Sequence, residues 1–285
     1  MKKHILLVVA FLFSAVCLNV FAQTKSYPFE VIKSGKGKQA IVFIPGFACS
    51  GEVWNDTKAN FERSFTCYTL TMAGFAGVQP QPNASFKNWE DAIVAYIKDN
   101  KIVKPILIGH SMGGGLALAI AADYPDLADR IVVVDALPCL AALMDPAFKS
   151  KENNDCGPMV AAMMSLTDQE FYDNQKKYLP KLTADTTKHE MLLGWSTKSD
   201  RKTFGEMYCE FSNTDLRDKI ETIKCPTLVL LESYFVNLKP AIEEQYKKLK
   251  LANLQYAAKG LHFIMYDDKD FYFKHLNNFI KVKVK

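Results

Sequence analysis

Residues 106–122 constrain this chain more than any other stretch. Ile106-Leu107-Ile108 is an apolar run too short for a helix; it passes into Gly109-His110-Ser111-Met112-Gly113-Gly114-Gly115, and 116–122 then continue without a polar residue. That order predicts a buried strand, a sharp turn and a buried helix. Ser111 stands at the turn in the pattern Gly-x-Ser-x-Gly. Small residues two before and two after it let the backbone double back closely. Such a turn lifts the serine hydroxyl out of a sheet and puts the next N–H, that of Met112, at the positive end of a helix dipole. Ser111 is therefore the expected nucleophile, and an ordinary glycine-rich turn is the plainer alternative.

Short apolar runs recur at 40–44, 66–70, 131–134, 227–231 and 254–257, with helical stretches at 89–99, 113–123 and 240–249. Strands that alternate with helices predict an α/β fold whose central sheet is mostly parallel and flanked by helices. Residues 137–217 break the rhythm: they hold no convincing strand, and Met159, Met163, Met164 and then 191–195 recur at helical spacing. No Gly-, Pro- or Ser-rich linker flanks them, so they read as an inserted helical cap on the sheet. The expected organisation is a leader at 1–22, a core at 23–136 and 218–285, and a cap at 137–217.

The leader rests on Lys2 and Lys3, the apolar run 5–16, and the small residue Ala22 before Gln23. That is the pattern of a secretory signal peptide, implying export to the periplasm or beyond. A membrane anchor is the alternative, but the run is short for a hydrocarbon core of about 30 Å, so no stable anchor is expected after cleavage. A lipid-attachment site at Cys17 fits less well, because Ser14-Ala15-Val16 before it lacks the leucine such sites carry. Loss of the leader lowers the formal charge of +4 by two, with no clustered basic stretch, so nucleic acid is not an expected partner. Six cysteines follow the leader without a CxxC or a Cys/His cluster. No metal site is expected, most thiols are expected to be buried, and any pairing stays open. The glycines of 69–77 do not make a phosphate-binding GxGxxG, and no cofactor is expected.

Run 40–44 ends in Pro45-Gly46-Phe47. Together with the Ser111 turn, it resembles the α/β-hydrolase fold family, where this loop is commonly His-Gly-x and the N–H of x joins the N–H after the nucleophile in an oxyanion hole. The resemblance implies Phe47 and Met112 as the two donors. Pro45 stands where the histidine would be, which alters what supports the loop rather than the backbone donor itself.

A serine hydroxyl needs a base to accept its proton. Beyond the leader the chain offers only His110, His189, His262 and His275. His110 lies inside the turn and is expected to point away from Ser111, His189 lies in the cap, and His275 lies in the C-terminal helix. His262 remains, in the loop after the last strand, and Gly260-x-His262-Phe263 followed by Asp268 and Phe271 resembles the family's usual tail. The family usually carries its acid a few residues beyond the strand at 227–231, where this chain has Phe235, and no Asp occurs between Lys224 and Tyr266. A minority pattern places the acid one strand earlier. There Asp135 follows 131–134 and is the expected partner of His262, with Glu232 the alternative.

Phe75, Leu137, Leu140, Met163 and Trp195, together with Phe47, Met144, Met159 and Met164, are candidates for a substrate pocket, although core packing would explain most of them as well. They suggest a small-molecule substrate with an apolar acyl or alcohol group; no Lys or Arg is placed to imply a carboxylate or phosphate. The expected activity is hydrolysis of an ester, thioester or related acyl compound through an acyl-Ser111 intermediate. Acyl transfer or carbon–carbon bond hydrolysis by the same residues, and noncatalytic ligand binding on the same fold, are the alternatives.

Overall fold

Strands form here where alternate side chains must be buried on both faces of one sheet. A computed structural model describes residues 26–281. Its strands are β1 (Phe29–Ser34), β2 (Ala40–Ile44), β3 (Thr66–Met72), β4 (Ile106–His110), β5 (Arg130–Val134), β6 (Thr227–Leu231) and β7 (Ala252–Tyr256), in the order β1-β3-β2-β4-β5-β6-β7. Every neighbouring pair is parallel except β1 and β3. Ile41, Phe43, Ile106, Ile108, Val132, Val134, Leu228 and Leu230 face one core, and Val42, Ile44, Leu107, Ile131, Val133, Val229 and Leu231 face the other.

Helices α1 (Asn55–Phe61), α2 (Phe86–Asp99) and α3 (Met112–Asp123) follow β2, β3 and β4. The segment expected to be a cap consists of α4 (Gly157–Ser165), α5 (Asp168–Leu182), α6 (His189–Thr197) and α7 (Arg201–Ser212), without a strand. Helices α8 (Lys239–Tyr246), α9 (Ile264–Asp267) and α10 (Lys269–Lys281) complete the described chain. Residues of α2, α3 and α8 cover one sheet face, and residues of α1 and α10 cover the other. Every residue of α3 from Met112 to Ala122 is buried, as its unbroken apolar sequence requires.

The cap meets the loops that leave the carboxyl ends of the strands. Asp200 N–H donates to the Gly74 carbonyl after β3 at 2.7 Å, and Phe263 N–H, after β7, donates to the Leu182 carbonyl at the end of α5 at 3.0 Å. The Phe47 ring, after β2, lies 4.5 Å from that of Phe204 in α7. In an open parallel sheet these ends are where ligands bind. Cys156 and Cys209 form a disulfide within the cap, while Cys49, Cys67, Cys139 and Cys225 are buried free thiols. The predicted leader lies outside the described residues, and no helix among them is long and apolar enough to cross a membrane.

Candidate active site

β4 ends at His110, and Ser111 turns the chain straight into α3 with φ +52° and ψ −122°, a conformation costly for a residue with a side chain. Neighbouring glycines make it possible. A Cβ on Gly109 would lie 2.1 Å from the Gly113 carbonyl oxygen, and one on Gly113 would lie 2.3 Å from that of Ile44. Ser111 N–H donates to the Val134 carbonyl at 2.8 Å, which ties the turn to β5. Its hydroxyl does not cap α3 and instead faces a cleft at the end of the sheet.

Gly46 brings the loop after β2 against the same turn, since a Cβ there would come within 3.3 Å of Ser111 Cβ and 2.7 Å of His110 Nδ1. Cys49 N–H closes this loop onto the Gly46 carbonyl at 3.2 Å. Met112 opens α3, so its N–H has no helical carbonyl to bond. The two backbone donors expected for an oxyanion thus sit on segments that touch at Ser111.

Asp135 leaves β5 at φ +49° with its N–H donated to the Leu230 carbonyl at 2.7 Å. Its carboxylate is buried and doubly engaged. Oδ2 lies 2.6 Å from His262 Nδ1, and Oδ1 accepts the Glu232 N–H at 2.7 Å. A carboxylate only accepts, so the His262 proton resides on Nδ1 and Nε2 is left with its lone pair. The loop that carries His262 is held from several sides. Ser233 donates both its N–H and its hydroxyl to the Gly260 carbonyl, Gly260 adopts φ +99°, and Leu261 N–H donates to Asp267.

His110, expected to point away from Ser111, lays its ring 4.6 Å from the His262 ring, and its Nε2–H donates to the His262 carbonyl at 2.9 Å. Burial, with the His262 charge adding to it, lowers His110 well below the usual histidine range, so it is neutral. For His262, burial alone favours the neutral ring. The hydrogen bond and charge of Asp135, with the charge of Glu232, outweigh it and raise the pKa. Asp135 is itself raised by burial, against the opposing pull of His262 and of the Glu232 amide.

Glu232 meets the pair through its backbone N–H, and its side chain lines the cleft with a carboxyl pushed up to about 7 by burial and by the Asp135 charge. The structure therefore seats Asp135, not Glu232, on the imidazole. Cys49 also lines the cleft, but burial raises its thiol to about 12, so it stays a neutral thiol near neutral pH.

The cleft, about 410 Å³, is lined by Ser111, His262 and Asp135 and by Phe47, Leu137, Leu140, Tyr208, Phe211, Glu232 and Phe235 among others. Leu137 and Leu140 are thus where the sequence reading put them. Met163 lines an adjoining cavity instead. Phe75 and Trp195 line neither. Phe75 is fully buried behind Phe47 and against Trp89, and Trp195 is buried in the core cluster that holds the Phe43 and Ile108 face of the sheet, where its bulk is spent on packing. One cation does reach the cleft, contrary to expectation: Lys181, at the end of α5. Neither Lys181 nor Tyr208 carries a motif, and both arrive by the folding of the cap. Among the described residues no group of His, Cys, Asp and Glu could hold a metal ion.

Residues 39–230 match the family model described as alpha/beta hydrolase fold. A pimeloyl-[acyl-carrier protein] methyl ester esterase of Wigglesworthia glossinidia brevipalpis is 24% identical over 222 residues, covering 77% of this chain and 84% of the relative. Two solved structures share the fold. The enol-lactonase from Burkholderia xenovorans LB400 superposes with a TM-score of 0.73 at 16% identity, covering 89% of this chain and 96% of its own. MenH from S. aureus does so with a TM-score of 0.73 at 15% identity, covering 90% and 98%.

Proposed function

The chain belongs to the α/β-hydrolase fold family, and on that premise we propose that it hydrolyses a carboxylic ester or related acyl compound through an acyl-Ser111 intermediate. The observation that carries this reading is the 2.6 Å contact between His262 Nδ1 and Asp135 Oδ2 in the cleft that Ser111 faces. That contact fixes the tautomer in which His262 Nε2 can accept a proton, and the buried carboxylate stabilises the imidazolium that follows.

Ser111 Oγ attacks the acyl carbon as its proton passes to His262 Nε2. The carbonyl electron pair moves onto oxygen, where the N–H groups of Phe47 and Met112 receive it. The pair then returns, the bond to the leaving group breaks, and His262 gives that group its proton. Water attacks the acyl-Ser111 ester by the same sequence, releasing the acid and the free hydroxyl. No step needs a cofactor. The pimeloyl methyl ester esterase among the relatives supports an ester as the bond cleaved.

Reaction with a fluorophosphonate probe tests the reading directly. The wild type is expected to label at Ser111 and to turn over p-nitrophenyl acetate, and Ser111→Ala is expected to lose both. A folded wild type that neither labels nor hydrolyses would sink the proposal.

A further inference from the structure

The catalytic cleft continues under the cap. Phe47, Leu182 and Tyr208 line both it and a second cavity of about 490 Å³. The two differ in chemistry. Asp135, Glu232, His262 and Lys181 face the first, whereas no charged side chain lines the second, whose walls are apolar at Met159, Met163, Leu166 and Phe204 and neutral polar at Asn174 and Gln175.

Helix α4 roofs this second cavity, and its sequence Gly-Pro-Met-Val-Ala-Ala-Met-Met-Ser is almost wholly apolar although none of its residues is fully buried. Met159, Val160 and Met163 form its half-buried stripe, with Met159 and Met163 one helical turn apart over the cavity. A helix of this kind adds little to a core, so its apolar face calls for another account. Two features hold it in place. Gly205 in α7 lets the helix backbones touch, since a Cβ there would lie 2.9 Å from Val160 Cα. The Cys156–Cys209 disulfide then ties the residue before α4 to α7.

Resting on the Ser111 reading above, we propose that the cavity beneath α4 is the acyl-chain site, and that the substrate is an ester of an extended, uncharged apolar acyl group. The direction of the substrate follows from the two walls of the cleft. The leaving oxygen must face His262, which protonates it, so the alcohol lies toward His262 and Glu232. The carbonyl oxygen faces the Phe47 N–H, and the Phe47 ring stands at the threshold of the second cavity. A chain on the carbonyl carbon passes that ring and lies beneath the two methionines, whose flexible thioethers adapt to its shape. The disulfide is thereby a selectivity element, because it fixes the height of the roof.

The experiment is a series of p-nitrophenyl esters from acetate to decanoate, assayed on the oxidised wild type, on Met163→Trp and on the double variant Cys156→Ser/Cys209→Ser, with circular dichroism to check folding. In the wild type kcat/KM is expected to rise by up to about fourfold per added methylene until the cavity fills. Met163→Trp is expected to lower the ratio of decanoate to acetate turnover at least about tenfold, the discrimination of a few methylenes. The cysteine variant, which does not depend on the fit of a tryptophan, is expected to lower the ratio too. A flat wild-type profile, or a ratio that neither variant moves, overturns the acyl-chain site while acetate turnover abolished by Ser111→Ala leaves the hydrolase reading standing. Absence of turnover and of labelling in the wild type removes both.

Discussion

Asp135 and Glu232 show how little separates a carboxylate seated on the imidazole from a neighbouring one. Both face the cleft, but only Asp135 reaches Nδ1 of His262, while Glu232 gives Asp135 a backbone N–H and adds its charge at longer range. Their removal should therefore differ in kind. Asp135→Asn places an amide against Nδ1, loses the productive tautomer and is expected to lower kcat by about 10⁴-fold. Glu232→Gln keeps the backbone bond and is expected to cost less than about tenfold, the scale of a charge acting without contact. The pH profile separates them further. In the proposed mechanism His262 works as the neutral base, and its pKa is raised above the ordinary 6.5. Wild-type kcat/KM then falls as pH drops through that raised value, above 6.5 rather than at it. Glu232 is one source of the rise, so Glu232→Gln is expected to shift the acidic limb to lower pH. Loss of turnover in Glu232→Gln alone would overturn the choice of acid.

At the scale of elements, the turn at Ser111 was legible because its constraint is local: Gly109 and Gly113 are needed wherever the chain doubles back this tightly. The buried strands were legible for a similar reason, since a run such as 131–134 is apolar on both faces. β1 was not, because an edge strand with only Phe29 fully buried has no such run to offer. The site divides along the same line. Ser111 follows from its motif, His262 from elimination and from the family resemblance of its loop, and Asp135 over Glu232 from the family's minority acid position, the commoner place holding no aspartate. The places of Lys181 and Tyr208 in the cleft and the contact of His110 with the His262 loop depend on how the cap and that loop fold over the sheet, which no local pattern encodes. Two glycines test the local part. Gly113→Ala forces a Cβ to within 2.3 Å of the Ile44 carbonyl oxygen, and Gly194, within α6, has nothing within 4 Å of that position. Gly113→Ala is expected to destabilise by about 3 kcal/mol or more, as overpacking in a buried site does. Gly194→Ala is expected to stabilise by roughly 0.5–1 kcal/mol through helix propensity. Urea denaturation of both variants gives the comparison, and equal effects would mean that the turn can relax.

Across the whole molecule, stability is divided unequally between sheet and cap. Strands β2, β4, β5 and β6 are wholly buried, and in the cap α6 buries Leu192, Leu193 and Trp195 and α7 buries Thr203, Phe204, Gly205 and Met207, whereas α4 buries no residue and α5 fully buries only Phe171 and Leu179. The first half of the cap therefore draws on another source of order. One source is the Cys156–Cys209 bond, which closes a sequence separation of 53 around α4, α5, α6 and most of α7. A closed loop of that length restricts the unfolded segment by an entropy worth about 4 kcal/mol in the chain-entropy account. Opening of the cap is suppressed by that amount whether or not the sheet opens with it, so reduction should expose the loop first. Lys176 and Lys177 in α5 and Lys202 in α7 lie inside the loop on helices that must unwind to enter a protease. With trypsin limiting, cleavage reports the open population. Reduction by dithiothreitol is then expected to accelerate cuts at those lysines at least tenfold and up to about 10³-fold. Fragments containing β4 and β5 are expected to stay intact over the same interval, because those strands are covered on both faces. Mass spectrometry of the first products decides the matter. A first cut inside the sheet, or equal rates with and without reductant, would mean that the cap is held by its contacts with the sheet and that the disulfide contributes nothing to its order.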